Sequence, residues 1–371
     1  MRVFFTIITK SYLAQARVLE TCLSEFHPGL KFLVILVDNP DGYFDPTKEK
    51  FEIIQLSEIL DPDWWPKVTG YYTAYELCNA AKPYVHEYLL TKRNFETTIY
   101  LDSDIFLLGS LQCAFDEIKG HSFLITPHLL DADLSFLQQR LEMILIWSGI
   151  FNGGFIVMRK CAEAQEFLEW WKRRLMEQCL HNYGFQEVDQ SWLNFAPALF
   201  ENCKISRNRG LNVGHWNLAE RPLKLKDGGI FTGDQQVIFL HFSGWDYQEP
   251  CRISKFDFTT CQLSDSGMAA LEQEAKNYAK LLVECGIEET AHWPYSFGCD
   301  LYGQKITPEM RRNYWSVQTS GALCDSVFDR PERYLAVLPE APRNGVRQAM
   351  KELILAIRNS VRVRWQSFLK K

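Results

Sequence analysis

Thr97-Thr98-Ile99-Tyr100-Leu101-Asp102-Ser103-Asp104-Ile105-Phe106-Leu107 is the stretch on which the reading of this chain turns. Its first five residues are β-branched, aromatic and aliphatic, the composition of a buried strand. The strand runs directly into two carboxylates one residue apart, and apolar residues resume at once. The acidic pair therefore belongs to the end of a core element and not to a long exposed turn. In an open α/β sheet, ligands bind outside the carboxyl ends of the strands. Two carboxylates placed there can converge on one divalent cation, and Mg²⁺ or Mn²⁺ accepts carboxylate and phosphate oxygens in one shell. Alone, an Asp-x-Asp is equally a turn or a cap, so its surroundings must decide.

Upstream, Val3 to Ile8 reads as a first buried strand, followed by Leu13, Ala16, Leu19 and Leu23 at helical spacing. His27-Pro28-Gly29 stops that helix. Phe32 to Val37 is a second strand, ended by the turn Asp38-Asn39-Pro40-Asp41-Gly42, and Phe51 to Leu56 is a third. Residues 70–90 are helical, with a kink expected at Pro83. Downstream, strands are expected at 122–126 and 151–158, helices near 134–147 and 161–180, a helix from Asp189, and a late strand from Gln235 to Phe242. Strand–helix alternation predicts parallel pairing in an α/β layer fold. Continuous apolar strands predict a sheet covered on both faces. After about residue 262 the pattern turns helical, which divides the chain into a region 1–262 and a helical extension 263–371.

With 371 residues, 47% of them hydrophobic and 23% charged, the chain can bury a large core. The aromatic share of 14% is read mostly as bulky core. A net charge of −6 argues against nucleic acid as partner. Charge is unevenly spread: residues 343–371 carry eight basic residues and one acid, leaving −13 on the remainder. Val346, Met350, Leu353, Ile354, Ile357, Val361, Trp365 and Phe368 fall near one stripe of that tail. The tail reads either as a helix on an anionic membrane or as a final helix packed on the body. Eleven cysteines include no Cys-x-x-Cys pair, so neither a zinc ribbon nor a thioredoxin motif is indicated. No run of 18 apolar residues occurs, and no signal-like start precedes Lys10-Ser11. A cytoplasmic protein, with peripheral contact to the inner membrane face through 343–371, is the expectation.

Three further motifs accompany the acidic pair. Phe151-Asn152-Gly153-Gly154-Phe155 lets backbone approach a ligand closely, or is a bulge opening a strand. Asp189-Gln190-Ser191-Trp192-Leu193-Asn194 brings a carboxylate and an amide to a cleft, or is an acid at a helix N-terminus. Leu240-His241-Phe242-Ser243-Gly244-Trp245 ends a strand in an imidazole and small residues. His241 is either a core histidine or a nitrogen ligand that shifts a carboxylate site toward Mn²⁺.

In this order and spacing, over about residues 1–250, the four motifs resemble those of the GT-A glycosyltransferases, in particular the retaining family-eight group that includes glycogenin and bacterial galactosyltransferases. The resemblance implies a Rossmann-like, mainly parallel sheet and metal-dependent transfer of a hexose from a UDP-sugar, with retention, to a glycan or lipid-linked glycan in polysaccharide biosynthesis. It implies that Asp104 and His241 ligate Mn²⁺ or Mg²⁺, with Asp102 on the metal or the ribose. Ser103, Gly153, Gly154 and Gly244 would border the donor, Gly244 at its diphosphate. Thr6 and Thr9 would lie near the nucleobase, and Lys82 near the diphosphate or donor sugar. Asn152 would contact the sugar, Asp189 its hydroxyls, and Gln190 would lie near the anomeric carbon. The pattern departs from the group where Trp245-Asp246-Tyr247 replaces its usual Lys-Pro-Trp, which leaves the phosphate-neutralising lysine unassigned. Asn212-Val213-Gly214-His215-Trp216-Asn217-Leu218 is also outside the pattern and points to a subgroup with its own acceptor. Two other readings compete. A sugar nucleotidyltransferase would carry a Gly-rich loop where this chain has Thr9-Lys10-Ser11-Tyr12. A non-catalytic nucleotide- or glycan-binding assembly factor would not need Asp102, Asp104 and His241 together.

Overall fold

A computed structural model describes residues 1–132, 135–183, 186–256, 265–319 and 327–328. The basic stripe at 343–371 lies outside the described residues. Strand β1 (Arg2–Ile8), helix α1 (Leu13–Phe26), β2 (Lys31–Leu36) and β3 (Glu52–Gln55) open the chain. Helices α2 (Trp65–Tyr71) and α3 (Ala74–Thr91) lead to β4 (Thr97–Leu101) and the short β5 (Ile105–Leu107). Then follow α4 (Gln112–Glu117), β6 (Phe123–Pro127), α5 (Phe136–Ser148), β7 (Phe151–Arg159) and α6 (Ala162–Leu175). Small elements come next: β8 (His181–Tyr183), β9 (Gln186–Glu187), α7 (Gln190–Leu193), α8 (Ala196–Leu199), β10 (Cys203–Ile205), β11 (Val213–Gly214), β12 (Leu223–Lys226), β13 (Gly229–Thr232), β14 (Gln235–Gln236) and β15 (Phe239–His241). Helices α9 (Asp265–Glu284), α10 (Ile287–Thr290) and α11 (Pro308–Thr319) close the described chain.

The main sheet has the order β10-β6-β7-β4-β1-β2-β3. β1 is parallel to β2 and β4, β2 to β3, and β10 to β6. β7 alone runs antiparallel to its neighbours β4 and β6, an insertion that its apolar sequence does not distinguish from a parallel strand. The sheet is α/β and mainly parallel, as expected. Alternation splits β1 between two cores. Val3, Phe5 and Ile7 face a core shared with α3, α6 and Trp171, while Phe4 and Ile8 face one shared with α1, β15 and α9. Each fully buried aromatic or aliphatic side chain of this kind contributes about 1.5–3 kcal/mol.

The late strand does not run unbroken from Gln235 to Phe242. Gln235 and Gln236 finish a hairpin with β13. The Ile238 amide then donates to Gly210 O at 2.7 Å and its carbonyl accepts from Leu108 at 2.8 Å, which carries the chain into a separate sheet, β11-β15-β5. α3 runs through Pro83 to Thr91 and starts with a Thr73–Glu76 capping box. α9 and α10 pack on α1, and α11 packs on α2, so the late helices cover the same two faces as the earlier ones. No described helix is long and apolar enough to cross a membrane.

His86 on α3 tests the core directly. It is fully buried, edge-on to Phe5 at 4.8 Å, with Nδ1 2.7 Å from Thr98 Oγ1. Burial, then the charge on Lys82, lowers its pKa from 6.5 to about 3. Below pH 6.5 the unfolded chain takes up a proton that the folded chain refuses, so stability must fall as pH falls, by about 1.4 kcal/mol per unit. Urea unfolding at pH 7 and pH 5 is expected to show a smaller loss in His86→Leu than in the wild type. Equal losses in both would mean that His86 is not held neutral.

Candidate active site

Three backbone registers assemble the site. β4 pairs with β7 so that Leu101 lies opposite Phe155, and the Asp102 amide donates to Gly154 O at 2.8 Å. β5 pairs with β15 so that Ile105 lies opposite His241, and the Phe242 amide donates to Asp104 O at 3.0 Å. β11 places Gly214 opposite His241 on its other side. Local sequence chooses the strands, and the registers bring 102–104, 152–154 and 241 to one point.

There the side chains of Asp102, Asp104 and His241 offer ligand atoms all within 4.8 Å of one another. His241 Nε2 lies 3.2 Å from Asp104 Oδ1 and 3.5 Å from Asp102 Oδ2. His241 is buried, whereas the two carboxylates are about one-third exposed, at 31% and 32%. The cluster thus has a solvent-facing side, as a metal site that must admit a ligand requires. Burial opposes charge on Asp104, but His241 outweighs it and leaves the carboxyl below its usual pKa. Burial likewise opposes charge on His241, and Asp104 and Asp102 outweigh it and raise the imidazole. A lone-pair-bearing nitrogen facing two carboxylates demands a positive charge between them, a proton or a metal ion. One imidazole with carboxylate oxygens is a donor set that suits Mn²⁺, so the residues fit the expected ion. Tyr100 holds Asp102 from behind, its hydroxyl 2.5 Å from Oδ1.

Next to the cluster lies a second, buried charge pair. Lys82 Nζ is 2.9 Å from Asp189 Oδ2, 3.0 Å from Gly153 O and 4.0 Å from Asp102 Oδ1, with its side chain only 1% exposed. Burial works against the ammonium, but Asp189 and Asp102 keep it charged and raise its pKa. Asp189 follows Val188, whose φ of 38° is an outlier for a β-branched residue and marks strain at the point where the chain enters the site. Gln190 accepts from the Gly153 amide at 3.1 Å and donates to Ser148 O at 2.7 Å. Both ends of that side chain, like the Lys82 ammonium, are thereby engaged with protein atoms. Asn152 is similarly occupied, by the Gly154 amide, Asn212 and His128.

The remaining candidates surround this centre. Thr6 is fully buried at the end of β1, and Thr9 hydrogen-bonds Ser11 at 2.8 Å. Ser103 is half-buried between the two aspartates. Gly244 has φ +66°, and with Asp104, Tyr12, Arg252 and Lys255 it lines one cleft. Sequence reasoning quoted Asn212 only within a segment outside the motif pattern and missed Thr126 and His128; all three stand behind His241 and Asn152. It also missed Lys10, fully buried at the ends of β1 and β2 and paired with Asp38 at 3.3 Å and Asp41 at 2.9 Å. The turn Asp38–Gly42 was visible, but nothing local tied it to Lys10.

No protein-family model matches the chain. It is 27% identical over 262 residues to the uncharacterized protein YfnF of Bacillus subtilis (strain 168), covering 69% of this chain and 86% of that one. It is 24% identical over 268 residues to the uncharacterized protein YfnD of the same strain, covering 70% and 81%. Among solved structures it is similar to the galactosyltransferase LgtC in complex with donor and acceptor sugar analogs, with 15% identity, a TM-score of 0.47, and coverage of 76% of this chain and 96% of that one. The glycosyltransferase GlyE of Streptococcus pneumoniae TIGR4 gives 14% identity, a TM-score of 0.43, and coverage of 81% and 66%.

Gly154 sits in the extended strand β7, where alanine meets no backbone penalty, yet its Cβ would lie 2.5 Å from Asp102 Oδ2 and 2.5 Å from His241 Cε1. Gly154→Ala is therefore expected to push Asp102 and His241 apart and to cost about 1–3 kcal/mol of stability. Mn²⁺ titration followed by electron paramagnetic resonance should show at least about tenfold weaker binding. Unchanged affinity would mean that these groups do not act as ligands.

Proposed function

We propose that this chain is a metal-dependent glycosyltransferase of the GT-A kind that moves a hexose from a UDP-sugar, with retention, to a glycan or lipid-linked glycan acceptor. The observation that carries the reading is the convergence of Asp102, Asp104 and His241 within 4.8 Å, at the carboxyl end of β4, from segments far apart in sequence. Their motifs occur in the order that the resemblance requires.

The difficult step is breaking the bond between the anomeric carbon and the diphosphate oxygen. Mn²⁺ or Mg²⁺, held by Asp104 and His241 with Asp102 beside them, would supply Lewis-acid neutralisation of the departing diphosphate. The chain's own groups do the rest. The sugar becomes oxocarbenium-like, and the Asp189 carboxylate, fixed by Lys82 against Gly153, is a preorganised negative charge that favours it. Gln190 ties that carboxylate's segment to the Gly153 amide, so Asp189, Lys82 and the glycine ridge form one rigid unit. The lysine missing after His241 has a substitute in space. Lys255 lines the cleft beside Asp104 and donates its backbone N–H to Gly244 O at 2.8 Å. Arg252, on the same rim, pairs with Glu249 at 3.3 Å, whereas no carboxylate pairs with Lys255 among the described residues. Lys255 is accordingly the cation assigned to the phosphates.

A thermal-shift series with UDP, GDP, CMP and dTDP, each with and without Mn²⁺, tests the reading. UDP with Mn²⁺ at 100 times its Kd should stabilise the wild type by about 2.7 kcal/mol. The shift should vanish in Asp104→Ala and shrink in Lys255→Ala. A metal-dependent shift with another nucleotide would keep the transfer and change the donor, whereas no shift with any of them would favour a glycan-binding assembly role. An inverted product anomer by NMR would overturn retention.

A further inference from the structure

Behind His241 runs a chain of hydrogen bonds in which each group's direction is fixed by the one before it. His128 Nδ1 lies 3.1 Å from Ile150 O, and a carbonyl only accepts, so Nδ1 carries the proton. Burial pushes the His128 pKa down to about 3, so the ring is neutral and Nε2 accepts. The partner of Nε2 is Asn152 Nδ2, at 3.2 Å. That sets the amide of Asn152, whose Oδ1 then accepts from the Gly154 amide at 2.9 Å and from Asn212 Nδ2 at 3.0 Å. The second amide hydrogen of Asn212 points to Thr126 Oγ1 at 2.8 Å. Asn212 has only Oδ1 left for His241, and that oxygen lies 2.9 Å from His241 Nδ1.

We infer that Asn212 is a positioning residue that keeps a proton on His241 Nδ1, so that Nε2 is the nitrogen left to a cation, proton or metal ion, on the Asp102–Asp104 side. A flipped Asn212 amide would force the opposite tautomer. His241 would then donate from Nε2 to Asp104 and would be a hydrogen-bond partner of the carboxylates instead of a metal ligand. The flip is blocked because it would set Asn212 Oδ1 against Asn152 Oδ1, which His128 holds in place. An outer partner that sets the tautomer of a metal-binding histidine also raises the basicity of the ligating nitrogen.

The backbone at this position explains why asparagine serves. Asn212 is 1% exposed, and its φ of 56° is left-handed, a conformation asparagine adopts more readily than other non-glycine residues. Asn217 Nδ2 donates to the Asn212 carbonyl at 3.0 Å and secures the loop from its other side. Asparagine meets the left-handed backbone and also supplies two donors and one acceptor in the required directions.

The inference rests on the reading of His241 as a metal ligand, and its test separates the two. In metal-free protein labelled with ¹⁵N-histidine, at a pH of about 9 where free imidazole is neutral, two-dimensional NMR reports which His241 nitrogen is protonated, with His241→Gln giving the assignment. The wild type should show Nδ1–H. Asn212→Gly keeps the left-handed backbone and removes the amide. It should mix the tautomers and weaken Mn²⁺ binding by about 10- to 100-fold. Asn212→Asp retains an acceptor for Nδ1 and should keep more affinity than the glycine variant. A wild-type ring protonated on Nε2 and not on Nδ1, a measurement that needs no variant to fold, would overturn the inference, whereas Nδ1–H with or without a second proton on Nε2 supports it. So would a glycine variant with unchanged tautomer and Mn²⁺ affinity. If wild type binds no Mn²⁺, the metal reading fails, while the tautomer still decides the role of Asn212.

Discussion

An imidazole nitrogen held 3.2 and 3.5 Å from two carboxylates is an electrostatic conflict unless a proton or a metal ion sits among them. That conflict is built into the backbone. The β5–β15 register sets Asp104 beside His241, and the β4–β7 register sets Asp102 beside Gly154. Tyr100 fixes one carboxylate, and the amide chain through Asn212 fixes the imidazole. The glycines at 153 and 154 follow from the same constraint, because a Cβ at either would strike Asp189 or Asp102 within 2.6 Å.

Lys82 links this centre to Asp189. A buried ammonium is costly unless paired, and Lys82 is answered by one carboxylate at 2.9 Å and a second at 4.0 Å. α3 carries Lys82, and α2 and the link that leads into α3 are held by α11, where Arg311 donates to the carbonyls of Thr69, Gly70 and Tyr72. Arg312 bonds Glu76, whose carboxylate also takes the His181 amide at 2.7 Å. Late helices thereby support the early segment that positions the lysine. α9 does the same for the other face, with Tyr278 stacked on Phe242 at 4.8 Å, one residue after His241.

Much of this was legible in the sequence where the signal is local. The strands ending at Ile8, Leu36 and Leu101 follow from continuous apolar runs, and the placement of Asp102 and Asp104 follows from the last of them. His241 needed the motif order, since a histidine closing a strand is ordinarily core. What escaped were pairings across distance. β7 carries the same apolar pattern in either direction, so its antiparallel run was invisible. The break between β14 and β15 depends on Gly210 and Leu108, neither of which is near it in sequence. Asn152 was singled out by its Phe-Asn-Gly-Gly motif, but its bonding to His128 and Asn212 depends on a register shift between Ile125 and Thr126 that the sequence does not signal.

The most direct test is anomalous diffraction at the manganese edge from crystals grown with Mn²⁺ and UDP. The account requires one strong peak within coordination distance of His241 Nε2 and an Asp104 oxygen, with the diphosphate on its open side toward Gly244 and Lys255. A peak elsewhere, or UDP bound with no metal between His241 and the two aspartates, would contradict it.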